Sequence, residues 1–326
     1  MSEISVAEIE AQSAAALRAH GAGAWQADEV ARAVARAEET GNIICGLYYL
    51  ESYCTQLRSG RVKGEVIPTV AQPKSGTVTV DAHFGFAQPA FTRGLPQAVT
   101  AARQNGVATL AVGHAHTCTS LGFFTEQIAA QGLIGLGFTN ASAIVAGPGG
   151  KAPILGTNPI AMTIPGADGP VMHADFSTAA VALGKITMAK AAGESIPLGW
   201  AVDADGRATT DPEAALGGAL VSAAGHKGWA LGLLVEVLAA GMSGSVNSLD
   251  VKGLKLPDGT PHDLGQYYIL IDPRGSEAFA DRIARLAAAV ADDPGVRIPG
   301  APRRKIDPVP VKDEVWTAVC ALAAGP

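Results

Sequence analysis

Between Gly113 and Gly166 the chain concentrates side chains that could move a proton or hold an anion. His114 and His116 stand two residues apart, and Thr117, Cys118, Thr119 and Ser120 follow at once. Glycine-rich turns and the pairs Thr139-Asn140 and Thr157-Asn158 lie between short apolar stretches. Glycine lets backbones approach closely, and Thr and Asn favour tight turns, so polar groups converge there. A histidine in such a place could act as a general acid or base. His116 and Cys118 could also form a nucleophilic pair. Such partners usually meet through the fold rather than two residues apart, so a Cys-His hydrolase is the remote reading. The four cysteines, Cys45, Cys54, Cys118 and Cys320, are far apart with no C-x-x-C pair. That spacing suits neither a disulfide framework nor a zinc site, and it points to a reducing compartment; no metal centre is expected.

Two phosphate-binding patterns fail on inspection. GLGFTN at 135–140 begins like a dinucleotide fingerprint, but the third glycine is missing. No acidic residue follows about twenty positions on to hold a ribose. Gly184-Lys185 is followed by Ile186 and lacks the upstream glycine of a P-loop. Other motifs nevertheless fall into an order. His116 before a helix, TNAS at 139–142, GPGGKAP at 147–153 and LGTNP at 155–159 come first. DFST at 175–178, GHKG at 225–228 and RIPGAPRR at 297–304 follow. Over most of the chain this series resembles the type-2 malate/L-lactate dehydrogenase family. That family also holds sulfolactate and ureidoglycolate dehydrogenases and the reductases of 1-pyrroline-2-carboxylate and 1-piperideine-2-carboxylate.

The resemblance implies a nicotinamide enzyme without a Rossmann domain, which accounts for the failed fingerprint. His116, Thr117, Cys118, Thr119 and Ser120, at a helix start, would then serve the cofactor. Asp175, Phe176, Ser177, His226 and Lys227 match its other contacts, and Arg297, Arg303 and Arg304 match the adenosine end. Several guanidiniums within eight residues suit a 2′-phosphate, so NADPH is expected, with NADH possible. Hydride transfer to a carbonyl or imine carbon also needs a proton for the heteroatom. The family takes one from a histidine in the His116 segment and from a Ser-His-Gly motif followed by a substrate-binding arginine. Register set by LRSGRV at 57–62 puts that motif on Ile44-Cys45-Gly46 and the arginine on Tyr49. Only the glycine survives. His116 or His114, Cys45 and His83 therefore remain open as proton carriers, and Tyr48, Tyr49, Thr157 and Asn158 as substrate contacts.

The lost acid bears on the substrate. A ketone oxygen must receive a proton as hydride arrives, whereas a cyclic imine can enter already protonated. The expectation is a reductase of a small cyclic 2-imino acid, giving proline or pipecolate. A 2-keto acid/2-hydroxy acid dehydrogenase is the alternative, and a catalytically inactive binding relative the remote one.

The elements that must position these residues follow from pattern. At 326 residues with 48% apolar and 17% charged residues, the chain is long enough for more than one core. Ser5 and Glu8 form a capping-box signature, and helices are expected to Leu17, over 24–39, and around Leu47, Leu50, Cys54 and Leu57. Strands are expected at 62–70, 77–82, 107–112, 133–139, 160–164, 171–176 and 266–271, with helices between. The order lacks regular βαβ alternation, which argues for a mixed sheet. The expected division is a helical lobe over 1–60, a discontinuous substrate and dimerisation lobe over 61–115 and 255–326, and an NAD(P)-binding domain over 116–254. A net charge of −6 argues against nucleic acid as partner. The opening MSEISVAEIE has no signal or transit character, and the apolar run from Trp229 to Met242 is too short to span a bilayer. A soluble cytoplasmic enzyme is expected, a homodimer by resemblance.

Overall fold

The computed structural model describes residues 1–300 and 305–326. Its amino-terminal part is helical, as the periodicity requires. Ser5 caps the helix Val6–Ala19, its Oγ accepting the Glu8 N–H at 3.2 Å. Helix Ala24–Glu39 follows, and helix Leu50–Ser59 ends on Gly60 in the left-handed region at φ 76°. Ile43–Cys45 and Leu47–Tyr49 form 3₁₀ turns ahead of that third helix rather than its first turns. Gly46 separates them with ψ −131°, which no α-helix accommodates. The last helix, Asp313–Ala323, packs on the first, and strand Val309–Val311 pairs with Ser2–Ile4. Chain ends and amino-terminal helices thus share one core of Ile9, Leu17, Val34, Leu50, Tyr53 and Val319.

The central sheet has seven strands in the order Thr69–Lys74, Thr77–Asp81, Val107–Ala115, Leu264–Ile271, Ile134–Thr139, Ile160–Ile164 and Met172–Phe176. Thr77–Asp81 and Val107–Ala115 run parallel, with helix Ala87–Asn105 between them in the chain. The other neighbours are antiparallel. The sheet is mixed, as expected. It crosses residue 115, joining strands from both sides of the expected lobe boundary.

Side chains alternate across it with period two. Leu110, Val112, Tyr268 and Leu270 face helices Ala87–Asn105 and Gly122–Ala129, while Ala111 and Tyr267 face helix His226–Glu236 and its continuation. Phe91, Phe124 and Tyr268 are fully buried with ring centroids 4.9–5.8 Å apart. Burying each contributes roughly 2–3 kcal/mol. The last helix of that layer runs on into a π-helical turn at Val237–Gly241. There Gly265 is required: a Cβ would fall 1.8 Å from the Ala239 oxygen. A separate five-stranded sheet, built from strands between Val145 and Val221, covers a smaller core of Leu155, Ile186, Ile196 and Leu220.

The strand expected at 62–70 is displaced to Thr69–Lys74. Val62 is buried, but its N–H donates to Gln56 O, and Lys63 N–H to Phe84 O, so this stretch ties loops together instead of joining the sheet. Residues 252–263 contain no helix or strand and lead into the sheet strand Leu264–Ile271.

Candidate active site

The loop from His116 to Ser120 leaves the carboxyl end of the interior strand Val107–Ala115 and leads into helix Gly122–Ala129. Thr119 takes a positive φ of 58°, a conformation non-glycine residues rarely adopt outside over-determined sites. Asp175, at the end of the last sheet strand, ties the loop down. Its carboxylate accepts the Gly122 N–H at 2.8 Å and the Ser120 hydroxyl at 3.3 Å. Beyond it Phe176 is exposed, and the Ser177 hydroxyl donates to Thr157 O at 3.1 Å while accepting Ala179 N–H. The same strip continues to the helix start at His226-Lys227, because Ala223 N–H donates to Thr178 O. On its other side, His173 N–H donates to Pro299 O, and a Cβ on Gly300 would fall 2.6 Å from His173 O. Arg297 therefore enters on a segment docked against the Asp175 strand. The expected residues Thr119, Ser120, Asp175, Phe176, Ser177, Thr157, His226, Lys227 and Arg297 lie along one continuous strip. Arg303 and Arg304 lie outside the described residues.

His116 sits deeper. It is 1% exposed, edge-on to Tyr53 and Phe86, and stacked on His262 with ring centroids 4.0 Å apart. Its Nε2 lies 2.5 Å from Gln56 Oε1. The Gln56 amide nitrogen already donates to the Leu254 and Leu256 carbonyls at 2.9 and 2.7 Å. Gln56 Oε1 must therefore accept, so the His116 proton is on Nε2 and Nδ1 is the unprotonated nitrogen. Burial first, then His262 and Arg61, pulls the His116 pKa well below the usual imidazole value. Burial does the same to His262, held down to about 3. Both rings are neutral at pH 7.

Around them the acids are weak. Burial pushes the Cys45 thiol up to about 12, with the Asp175 charge adding to it. Tyr49 is likewise pushed up to about 12 by burial and by Cys45, and burial raises the Cys118 thiol. Cys45, Tyr49, Tyr53 and Cys118 thus form a neutral cluster beside Asp175. Gly46, the glycine kept from Ser-His-Gly, has a packing reason. A Cβ there would fall 2.2 Å from Glu38 Oε1, which accepts the Leu47 N–H at 2.7 Å.

Three expected residues stand apart from the cluster. The His83 ring bonds Thr69 Oγ1 at 2.7 Å and lies 3.3 Å from Asp81, while His114 pairs with Asp263 at 2.9 Å. Asn158 is fully buried at φ 38°, and its amide nitrogen donates to Gly232 O and to Glu236 at 3.0 and 2.8 Å. It holds the LGTNP turn against the helix behind it. Asn158→Ala strips two acceptors of their donor, and the expected loss is about 2 kcal/mol by urea denaturation. An unchanged midpoint would refute that role.

Gln56, His262 and Lys255 carry no motif, and Arg61 belongs to LRSGRV without that motif showing what its side chain binds. Their partners lie from 60 to more than 200 residues away, so no local spacing marks them.

The strip fits a nicotinamide dinucleotide by its donor set: exposed Lys227 and Arg297, the Thr119 and Ser120 hydroxyls, and an open aromatic face at Phe176. Residues 4–319 match the malate/L-lactate dehydrogenase family. The chain is 38% identical to the (2R)-3-sulfolactate dehydrogenase (NADP(+)) of Chromohalobacter salexigens, over 93% of this chain and 91% of that one. It is also 38% identical to a Delta(1)-pyrroline-2-carboxylate reductase of Ancylobacter novellus, over 92% and 89%. The crystal structure of delta1-piperideine-2-carboxylate reductase from Pseudomonas syringae superposes with a TM-score of 0.92 at 33% identity, covering 99% of this chain and all of that one. The protein is a member of the malate/L-lactate dehydrogenase family, an oxidoreductase that uses NAD(P)(H).

Proposed function

We propose that the protein reduces a small cyclic 2-imino acid, 1-pyrroline-2-carboxylate or 1-piperideine-2-carboxylate, to proline or pipecolate with NADPH. The observation that carries this reading is the state of His116. Its Nε2–H is committed to Gln56, burial keeps it neutral, and the neighbouring thiols and phenols hold their protons tightly. A keto acid must be given a proton as its oxygen turns to alkoxide, and neutral donors of such high pKa do this poorly. A cyclic iminium brings its proton with it. Its positive charge also suits a neutral cluster beside the Asp175 carboxylate, whereas an imidazolium would repel it.

NADPH, when bound, supplies the hydride. Thr117 to Ser120, Asp175 to Ser177, His226, Lys227 and Arg297 hold and orient it, while Tyr48, Tyr49 and Thr157 border the substrate. The neutral Cys45 thiol packs beside them. The name of the sulfolactate relative includes NADP(+), in keeping with the basic segment that begins at Arg297. The 2-keto acid reading is supported by the same relative's substrate.

The functional division is a helical lobe over 1–60, a cofactor unit over 116–254, and a substrate and dimerisation unit from 61–115 and 255–326. The working form is a homodimer in the cytoplasm that acts on a small molecule rather than on nucleic acid. Leu231, Leu234, Val237 and Met242 are 43–62% exposed along one helix, which supports pairing of copies there. No described helix is long and apolar enough to cross a membrane.

The test is steady-state oxidation of NADPH with both imino acids beside pyruvate and oxaloacetate. We expect the imines to be preferred in kcat/KM by at least about 100-fold, nearly 3 kcal/mol of transition-state discrimination. Preference for the keto acids would overturn the reading.

A further inference from the structure

Every substrate class considered above carries a carboxylate, and among the described residues of the buried cluster no cation is available to receive it. His116 and His262 are neutral. Arg61 is 1% exposed, and its guanidinium spends its donors on backbone. Its Nε donates to Thr260 O at 3.0 Å, and its two terminal nitrogens donate to Leu256 O and Gly253 O at 2.6 and 2.8 Å.

One ammonium does reach the cluster's aromatic edge. Lys255 Nζ lies 3.3 Å from the Tyr48 ring centroid and 4.7 Å from that of Tyr49. Tyr49 is 5.7 Å from Tyr53, and Tyr53 is 5.5 Å from His116. Lys255 thus heads a row of rings that runs inward to the buried imidazole. Two tyrosine faces hold its charge in place without neutralising it, since a ring quadrupole attracts a cation but accepts no proton from it. Lys255 forms no ion pair among the described residues. Glu51 and Glu314 line the same solvent-facing groove of about 490 Å³ as Lys255 and Tyr48, yet neither comes within 4.0 Å of the ammonium.

The backbone that presents Lys255 is fixed. Gln56 accepts from His116 and donates to Leu254 O and Leu256 O, the residues on either side of Lys255. Arg61 takes the Gly253, Leu256 and Thr260 carbonyls, and the Ser59 hydroxyl donates to Pro257 O at 2.8 Å. The helix Leu50–Ser59, which carries Tyr53 and is capped by Tyr49, therefore also carries Gln56 and Ser59, two of the residues that clamp the lysine's loop.

We propose that Lys255 is the substrate-binding cation, receiving the carboxylate of the imino or keto acid above Tyr49. The proposal rests on the reductase reading above for the substrate's chemistry, but its test does not depend on which acid is reduced. Lys255 is exposed, so Lys255→Met keeps most of the aliphatic stem and leaves the fold intact.

For whichever acid the wild type turns over best, Lys255→Met should raise KM roughly 10- to 100-fold, as loss of a charged hydrogen-bond partner does. kcat and the KM for NADPH should stay within about twofold, and Lys255→Arg should recover most of the loss. Two further readouts separate a charge contact from mere packing. The wild-type KM should rise with ionic strength while that of Lys255→Met does not. Reduction of 1-pyrroline, which lacks the carboxylate, should be equal in the two proteins. If the imines fail and the keto acids react, the reductase reading falls and the lysine is tested on the keto acids. If no acid reacts, calorimetric titration of the NADPH complex with pyrrole-2-carboxylate replaces KM, with the same fold-change expected in Kd. An unchanged KM or Kd in Lys255→Met, or an equal loss with 1-pyrroline, would overturn the proposal.

Discussion

Arg61→Met should cost the protein roughly 3–5 kcal/mol of stability, read as a fall in the urea midpoint at pH 7 with little change in slope. Arg61 is the largest fully buried side chain among the described residues, and its contacts are three loop carbonyls rather than a carboxylate. Burial pulls its pKa down from the ordinary value, yet a guanidinium stays charged at neutral pH. Methionine fills a similar volume but leaves Gly253, Leu256 and Thr260 carbonyls without their donor. The loop they belong to carries Lys255 and His262, so turnover should fall with stability. Arg61→Lys can reach one or two of the carbonyls and should restore part of the loss. A midpoint shift worth less than about 1 kcal/mol would mean that Gln56 and Ser59 hold the loop alone.

The second large effect is a loss of stability in mild acid. His262 is held down to about 3 in the folded protein, against an unfolded value of roughly 6.5. Above pH 7 neither state binds the proton, and the group contributes nothing. As pH falls below about 6.5 the unfolded chain takes up a proton that the folded one refuses, so stability declines until the folded pKa is reached. At pH 5 this amounts to about 2 kcal/mol from His262 alone, at 1.36 kcal/mol per unit. His116, depressed by burial and by its stacked partner, adds a loss of the same sign. Urea midpoints at pH 7 and pH 5 measure it. His262→Gln should flatten the difference by about 2 kcal/mol, and an equally steep decline in that variant would show that other groups govern the acid limb.

Both effects come from contacts that cannot be read along the chain. Gln56 lies on a helix whose apolar spacing is plain, yet nothing in that spacing says that its amide will bridge His116 to Leu254 and Leu256. His262 sits in a polar, glycine-rich stretch without helix or strand, which reads as mere connection. The displaced strand at Thr69–Lys74 and the 3₁₀ turns at Ile43–Tyr49 have the same cause. Val62, Cys45 and Leu47 are apolar at plausible spacings, but the hydrogen bond of Val62 to Gln56 and the seat of Gly46 against Glu38 decide their conformation.

The sequence by itself determined the family, the mixed sheet and the helical beginning, and it singled out the residues that the fold gathers into one strip. These depend on local signals: motif order, apolar periods of 3.6 and 2, and turn residues whose backbone needs are intrinsic. It also exposed the missing Ser-His-Gly motif and arginine. Only the tertiary structure decided what stands in their place. Whether a histidine is charged depends on how much water and which charges surround it, and whether a lysine is available depends on which carboxylates lie near. Both are properties of segments folded together from opposite ends of the chain. His116 therefore became a neutral ring locked on Gln56, and Lys255, unmarked in the sequence, came to stand over Tyr48 and Tyr49 at the edge of the site.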